Sequence, residues 1–229
     1  MLLNLLLQAQ TAAVSLAEEA PIPEKLSLWD LMLKGGLIMI PIFLLSVLAV
    51  YIFIERYFAI RRAAQTDENF ITRIKGYIHD GKIDAAVALC QSTDGPIARM
   101  LEKGIQRIGR PLNDINTAIE NVGKLEVAKL EKGLPALASA AGGAPMIGFL
   151  GTVTGMVKAF FNMAQAENID IKILSSGIYE AMVTTVAGLI VGIVAYFGYN
   201  ILVASVEKVV NSLEASTTEF MDLLNEPTK

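Results

Sequence analysis

Histidine and cysteine are almost missing from this chain, which holds one of each, His79 and Cys90, in 229 residues. A single cysteine makes no intrachain disulfide. One of each cannot complete a Cys/His zinc site within one chain. Charge is scarce too, at 18% of residues, and a net charge of −4 offers no footprint for nucleic acid. No GxxxxGKS/T phosphate loop, GxGxxG fingerprint, HExxH metal motif or GxSxG nucleophile elbow occurs. With so empty a catalytic inventory, no enzyme, no cofactor, no metal site and no nucleic-acid partner is expected. What the chain has in abundance is apolar residues, 53% of the total, with a mean hydropathy of +0.50 that is too high for an ordinary soluble domain.

The apolar residues collect in three runs of membrane length, about 20 residues or more. The first span is placed at 35–55, the second at 133–164 and the third at 177–206. A short loop, 165–176, makes the last two an antiparallel hairpin. The intervening segment Arg56–Lys132 holds 13 of the 19 Lys and Arg residues. The side richer in Lys and Arg is the cytoplasmic one. The segment 56–132 is therefore expected to be a cytoplasmic helical domain, with the N-terminus outside and the C-terminus, 207–229, inside. In a double-membrane bacterium, outside means periplasm. The first 34 residues are then a periplasmic segment. Its opening, MLLNLLLQAQTAAVSLAEEA, lacks the basic n-region of a signal peptide and reads as a retained amphipathic helix on the membrane surface.

Between Ile173 and Val206 the only charged residue is Glu180. A carboxylate in an apolar stretch of this length costs a few kcal/mol or more and marks a functional site by default. Thr184 and Thr185 stand one turn further on, and Thr152 lies mid-way along the second span. Small residues surround them, with Gly148, Gly151 and Gly155 on the second span and Gly188 and Gly192 on the third. Glycines spaced four apart let helix backbones approach closely. Pro145 frees a carbonyl and is expected to bend its helix. Ion or proton handling is the natural reading, but a proton path needs titratable groups or a water chain across the membrane. Hydroxyls order water and hold no charge at neutral pH. A second ionisable group is missing, so a proton path needs an acid from a partner.

The extramembrane parts read as helices. Pro111 suits a helix start with Asn113 or Asp114 as a nearby cap. Ile115, Ile119, Val122, Leu125 and Ala128 follow at helical spacing. That helix is expected to run straight into the second span. GYIHDGKIDAAVALCQ reads as a helical hairpin turning at Asp80–Gly81, with His79 and Cys90 as surface and packing positions. After the third span, Val206, Val210, Leu213, Thr217, Phe220 and Leu224 form a coiled-coil-like seam. It can pack on this chain's own helices or on a neighbouring copy.

The runs APMIGFLGTVTGMVKAFFNMA and GIYEAMVTTVAGLIVGIVAYFGYN resemble the signature of the MotA/TolQ/ExbB proton-channel family, most nearly its ExbB branch. The likeness extends over 26–224. It implies an all-α polytopic membrane protein with three transmembrane helices and long helices reaching into the cytoplasm. It also implies a homo-pentamer around a dimer of ExbD-like single-span subunits, which supplies a pore aspartate, the acid missing here. By the same resemblance Thr152 and Thr185 match the pore threonines of the second and third spans. Glu180 matches the third-span glutamate, and Pro145 the proline before the glycine-rich segment. Thr184 departs from the family pattern, where a small residue is usual, and leaves open which threonine faces the aspartate.

The implied function is that of an inner-membrane motor subunit driven by the proton-motive force, energising a TonB-like protein for outer-membrane import. A TolQ-like subunit energising envelope constriction is the near alternative. A non-conducting scaffold for the same partners is the alternative of another class. Membrane lipid is the remaining expected partner.

Overall fold

The structure, a computed structural model, describes residues 35–65, 69–165 and 171–225. Among the described residues all regular structure is helical. The helices are α1 Met39–Ala64, α2 Phe70–His79, α3 Ile83–Ser92, α4 Pro96–Ile105, α5 Leu112–Glu131, α6 Leu134–Gln165 and α7 Ile171–Asn225. The surface helix expected within the first 34 residues lies outside the described residues.

Three helical stretches are long and apolar enough to cross a membrane: Met39–Ala64, Leu112–Gln165 across the α5–α6 junction, and Leu174–Asn225. At 1.5 Å per residue, the 26 residues of α1 span about 39 Å against a hydrocarbon core of about 30 Å. Their outward faces carry large apolar side chains in the open. Phe43, Leu44, Tyr51 and Phe58 stand on α1, Phe149, Val157 and Phe161 on α6, and Ile190, Val194 and Phe197 on α7. A monomer in water does not expose faces of this extent. The chain is a multi-pass membrane protein.

Glycine sets the hairpin of α6 and α7. A Cβ on Gly148 would come within 2.8 Å of the Thr184 carbonyl and 3.2 Å of Gly188 Cα. One on Gly188 would meet the Ala144 carbonyl at 2.5 Å, and one on Gly155 the Ala181 Cβ at 2.9 Å. The pairs 155–181, 151–184, 148–188 and 145–192 step down one helix and up the other, so the helices are antiparallel with backbones nearly touching. Pro145 has no N–H for the Ala141 carbonyl, and that carbonyl faces Gly192. α6 nevertheless continues without interruption through Pro145. Against this hairpin α1 packs Ile42, Ala49 and Ile52, all buried, and Phe53 lies over Gly198.

α2 to α5, with the end of α1 and the second half of α7, form a helical head. Its core gathers Phe70, Ile74, Leu101, Ile105, Ile115, Ile119 and Phe220, each no more than 2% exposed. The α2–α3 turn falls at Asp80–Gly81, where Gly81 takes φ +71°, with His79 exposed and Cys90 buried. Of the α7 seam, Val206, Leu213 and Phe220 are buried in the head core, while Val210, Thr217 and Leu224 are half-buried.

Three local expectations need correction. α5 begins after Pro111 without a side-chain cap from Asn113 or Asp114. It also stops at Glu131 rather than running into the second span. Gly133 takes φ +87°, a conformation glycine adopts freely, and Pro135 cannot donate across the junction. Arg56 of α1 donates through Nη1 to the Lys129 carbonyl at 3.0 Å, filling one of the acceptors left at the α5 terminus. The buried stripe of α5 differs as well. It runs Ile115, Ile119, Gly123, Glu126, Leu130, while Leu125 and Ala128 face outward.

Candidate functional site

The polar residues of the membrane hairpin separate into three environments. Thr184 is 1% exposed and sits in the seam against Gly151. Its hydroxyl donates to the Ala181 carbonyl at 2.7 Å, with the Gly148 carbonyl at 3.4 Å. Only a glycine at 151 leaves room for it, because any Cβ there would collide with the Thr184 hydroxyl.

Thr185, 100° around the helix, is only partly buried and donates to the Gly148 carbonyl of α6 at 3.0 Å. In the helical pattern that same carbonyl receives the N–H of Thr152. The hydroxyls that reach the Gly148 carbonyl are those of Thr185 and, at 3.4 Å, Thr184, while Thr152 lies one turn along α6. The Thr152 hydroxyl donates to the Phe149 carbonyl of its own helix at 2.6 Å. A carbonyl can only accept, so both hydroxyl protons are committed. What remains on each threonine is a pair of acceptor lone pairs. Around them lie Phe149, Val153, Met182 and Val186, all exposed on the side of the hairpin that α1 leaves uncovered.

Glu180 is elsewhere. Its half-buried carboxylate rests against Gly36, three residues before α1, so close that a Cβ at position 36 would make the carboxylate shift. Gly36 takes φ +66°, and Val183 one turn on reaches Gly35. The first turn of a helix carries unpaired N–H groups and partial positive charge, which favours a carboxylate there. Glu180 thus ties the third span to the first, one turn before the threonines. Gly148, Gly151, Gly155, Gly188, Gly192 and Pro145 all lie in the α6–α7 seam.

The head holds a charged cluster that apolar periodicity passed over. Glu126 is 4% exposed and bridges Arg99 of α4 at 2.7 Å and Lys129 at 2.6 Å, while Arg99 also meets Asp94 at 3.0 Å. Burial alone would push the Glu126 carboxyl up. The hydrogen bonds and charges of Arg99 and Lys129 outweigh that and hold it below the usual range. The available signal was Glu126 falling on the Ile115–Ile119–Leu130 stripe with Lys129 three residues on. Among the described residues no group of three or more His, Cys, Asp or Glu could hold a metal ion.

The model of the MotA/TolQ/ExbB proton channel family matches residues 92–215, over half the chain and all of the hairpin. The ExbB-like protein 1 of Synechocystis sp. is 30% identical over 181 residues, 77% of this chain and 71% of its own length. The Tol-Pal system protein TolQ of Pseudomonas aeruginosa is 25% identical over 222 residues, covering 90% and 96%. The biopolymer transport protein ExbB of Neisseria gonorrhoeae is 28% identical over 169 residues, covering 67% and 77%.

Proposed function

The chain belongs to the MotA/TolQ/ExbB proton channel family, and from that premise we propose that it is the homo-pentameric subunit of an inner-membrane motor of ExbB–ExbD type. The motor draws on the proton-motive force to energise a TonB-like protein for outer-membrane import. The N-terminus is periplasmic, and the head formed by α2–α5 is cytoplasmic. The chain is not an enzyme.

The observation that supports this reading is that Thr152 and Thr185 each spend the hydroxyl proton on a carbonyl of α6, Phe149 and Gly148 respectively. Both offer acceptors only, so they suit a partner acid that carries its proton. A carboxyl group donates its O–H to such an oxygen, whereas a carboxylate finds no donor there. Hydrogen bonding to the neutral form raises an acid's pKa. The pair would therefore favour protonation of the aspartate of an ExbD-like single-span dimer as it passes. The proton returns to water when that aspartate moves away from the threonines. Thr184, in the seam, holds the helices in register and stays off the path. Glu180 fixes the outer end of the pore helix against the first span.

The test is purification of the chain from its native membrane with mass spectrometry of its companions. A single-span protein with an acid early in its span, together with a TonB-like protein, is the expected result. A Tol-type set would move the same mechanism to envelope constriction. The absence of any single-span companion would leave the threonines without an acid and overturn the reading.

A further inference from the structure

α5 and the second half of α7 share the head core but leave a groove along their seam. A trough runs between them from Asn116 and Thr218, deep in the head, to Pro135 and Tyr199 beside the membrane hairpin. Its two stretches, of about 670 and 580 Å³, share Val127, Glu131 and Val210 and are continuous. The rise along α7 from Tyr199 to Thr218 is about 29 Å, or some five helical turns. The floor is apolar, with Val127, Val210 and Leu213 above Met100. The rim is acidic: Glu120, Glu131, Glu207 and Glu214 face a single Lys124. Asn116 donates to Glu120, but among the described residues none of these four carboxylates is in an ion pair.

An apolar floor between rows of unpaired carboxylates complements a cationic amphipathic helix. We propose that this groove docks the Lys/Arg-rich flank of a single-span partner, entering as that partner leaves the membrane beside α6 and α7. The source of the charge is topological. The head lies on the side where this chain concentrates its own Lys and Arg, 13 of 19 in Arg56–Lys132. A single-span protein keeps its basic flank on that same side. The upper mouth, at Pro135 and Tyr199, lies within the ends of the spans placed at 133–164 and 177–206, so the groove starts at the membrane boundary. The inference rests on the reading above and extends it from the membrane into the head.

The experiment uses the full chain in its native membrane with a photo-crosslinking amino acid at Val210 in one variant and at Thr218 in another. Thr218 is exposed, so replacing it leaves the core untouched. Adducts should map by mass spectrometry to a Lys/Arg-rich segment adjoining the partner's span. Glu207→Lys with Glu214→Lys should lower the adduct yield at least tenfold. Glu207→Gln with Glu214→Gln, which keeps shape and removes charge, should lower it severalfold while the partner still co-purifies. Adducts to another copy of this chain alone, to lipid alone, or a yield indifferent to both charge changes would overturn the groove. A single-span protein that co-purifies but never crosslinks defeats this inference and spares the motor. If none co-purifies, the motor reading has failed first.

Discussion

Glu126 occupies a position on α5 that its neighbours would give to an apolar side chain. A carboxylate is tolerable there because Arg99 and Lys129 supply charge-assisted hydrogen bonds. Its folded-state pKa lies below that of an unfolded chain, about 4.3 for glutamate. Its contribution is therefore present above that value and lost as pH falls through the lower, folded one. Glu126→Gln should destabilise the head by about 1–3 kcal/mol at neutral pH. Wild type and variant should converge in thermal unfolding, followed by circular dichroism, as pH drops below about 4. An equal gap at every pH would mean that the charge contributes nothing. Cys90 is the opposite case, a lone thiol at 2% exposure whose pKa burial pushes up to about 12. Thiolate is the reactive form. Maleimide at pH 8 should leave Cys90 unlabelled in the folded protein and label it fully in denaturant.

At the scale of elements, the glycines of α6 divide by what faces them. Gly148 abuts the α7 backbone, whereas a Cβ on Gly142 would meet nothing within 4 Å. Backbone cannot swing aside as a side chain does. Gly148→Val should part the hairpin, at a cost of about 1–3 kcal/mol or more, and abolish co-purification of the partner. Gly142→Ala should change neither assembly nor melting temperature by a measurable amount. Loss of assembly in both variants would show that the seam is not where the contact lies.

The same elements show what a sequence discloses. Three spans, the Asp80–Gly81 turn and the small-residue track follow from length, hydropathy and local turn chemistry. The break at Lys132–Gly133 has a signal, a glycine followed two residues on by Pro135, but helical spacing on both sides reads straight through it. Helical spacing selects Leu125 and passes over Glu126, yet Leu125 is exposed and Glu126 buried. Periodicity fixes a face only to within a residue, and the Arg99 that makes Glu126 admissible comes from another helix. The contact of Glu180 with Gly36 joins the third span to the start of the first, and no local pattern encodes it.

For the whole molecule, the proposed proton path through an apolar bundle is tested most sharply by two adjacent threonines. The resemblance matches Thr185 to the pore threonine yet leaves open which of Thr184 and Thr185 faces the acid; the register of α6 against α7 gives them different surroundings. Thr184 is buried against Gly151, and its hydroxyl bonds its own helix. Thr184→Val conserves shape and loses those bonds, so its effect should be structural, about 1 kcal/mol of stability with ion flux per assembled complex retained. Thr185→Val removes the acceptor beside Gly148 and leaves that carbonyl its helical N–H from Thr152. It should assemble normally, yet lower proton flux at least tenfold in vesicles carrying the purified complex and an imposed potential. Thr152→Val should match it, and the two together should cost little more than either alone, because residues serving one acid as a unit are non-additive. The expected result is therefore a crossed pattern, with Thr184→Val changing stability at constant flux and Thr185→Val changing flux at constant stability. Flux loss in Thr184→Val with Thr185→Val unaffected would transfer the path to the seam, and unchanged flux in all three would reduce the threonines to helix packing.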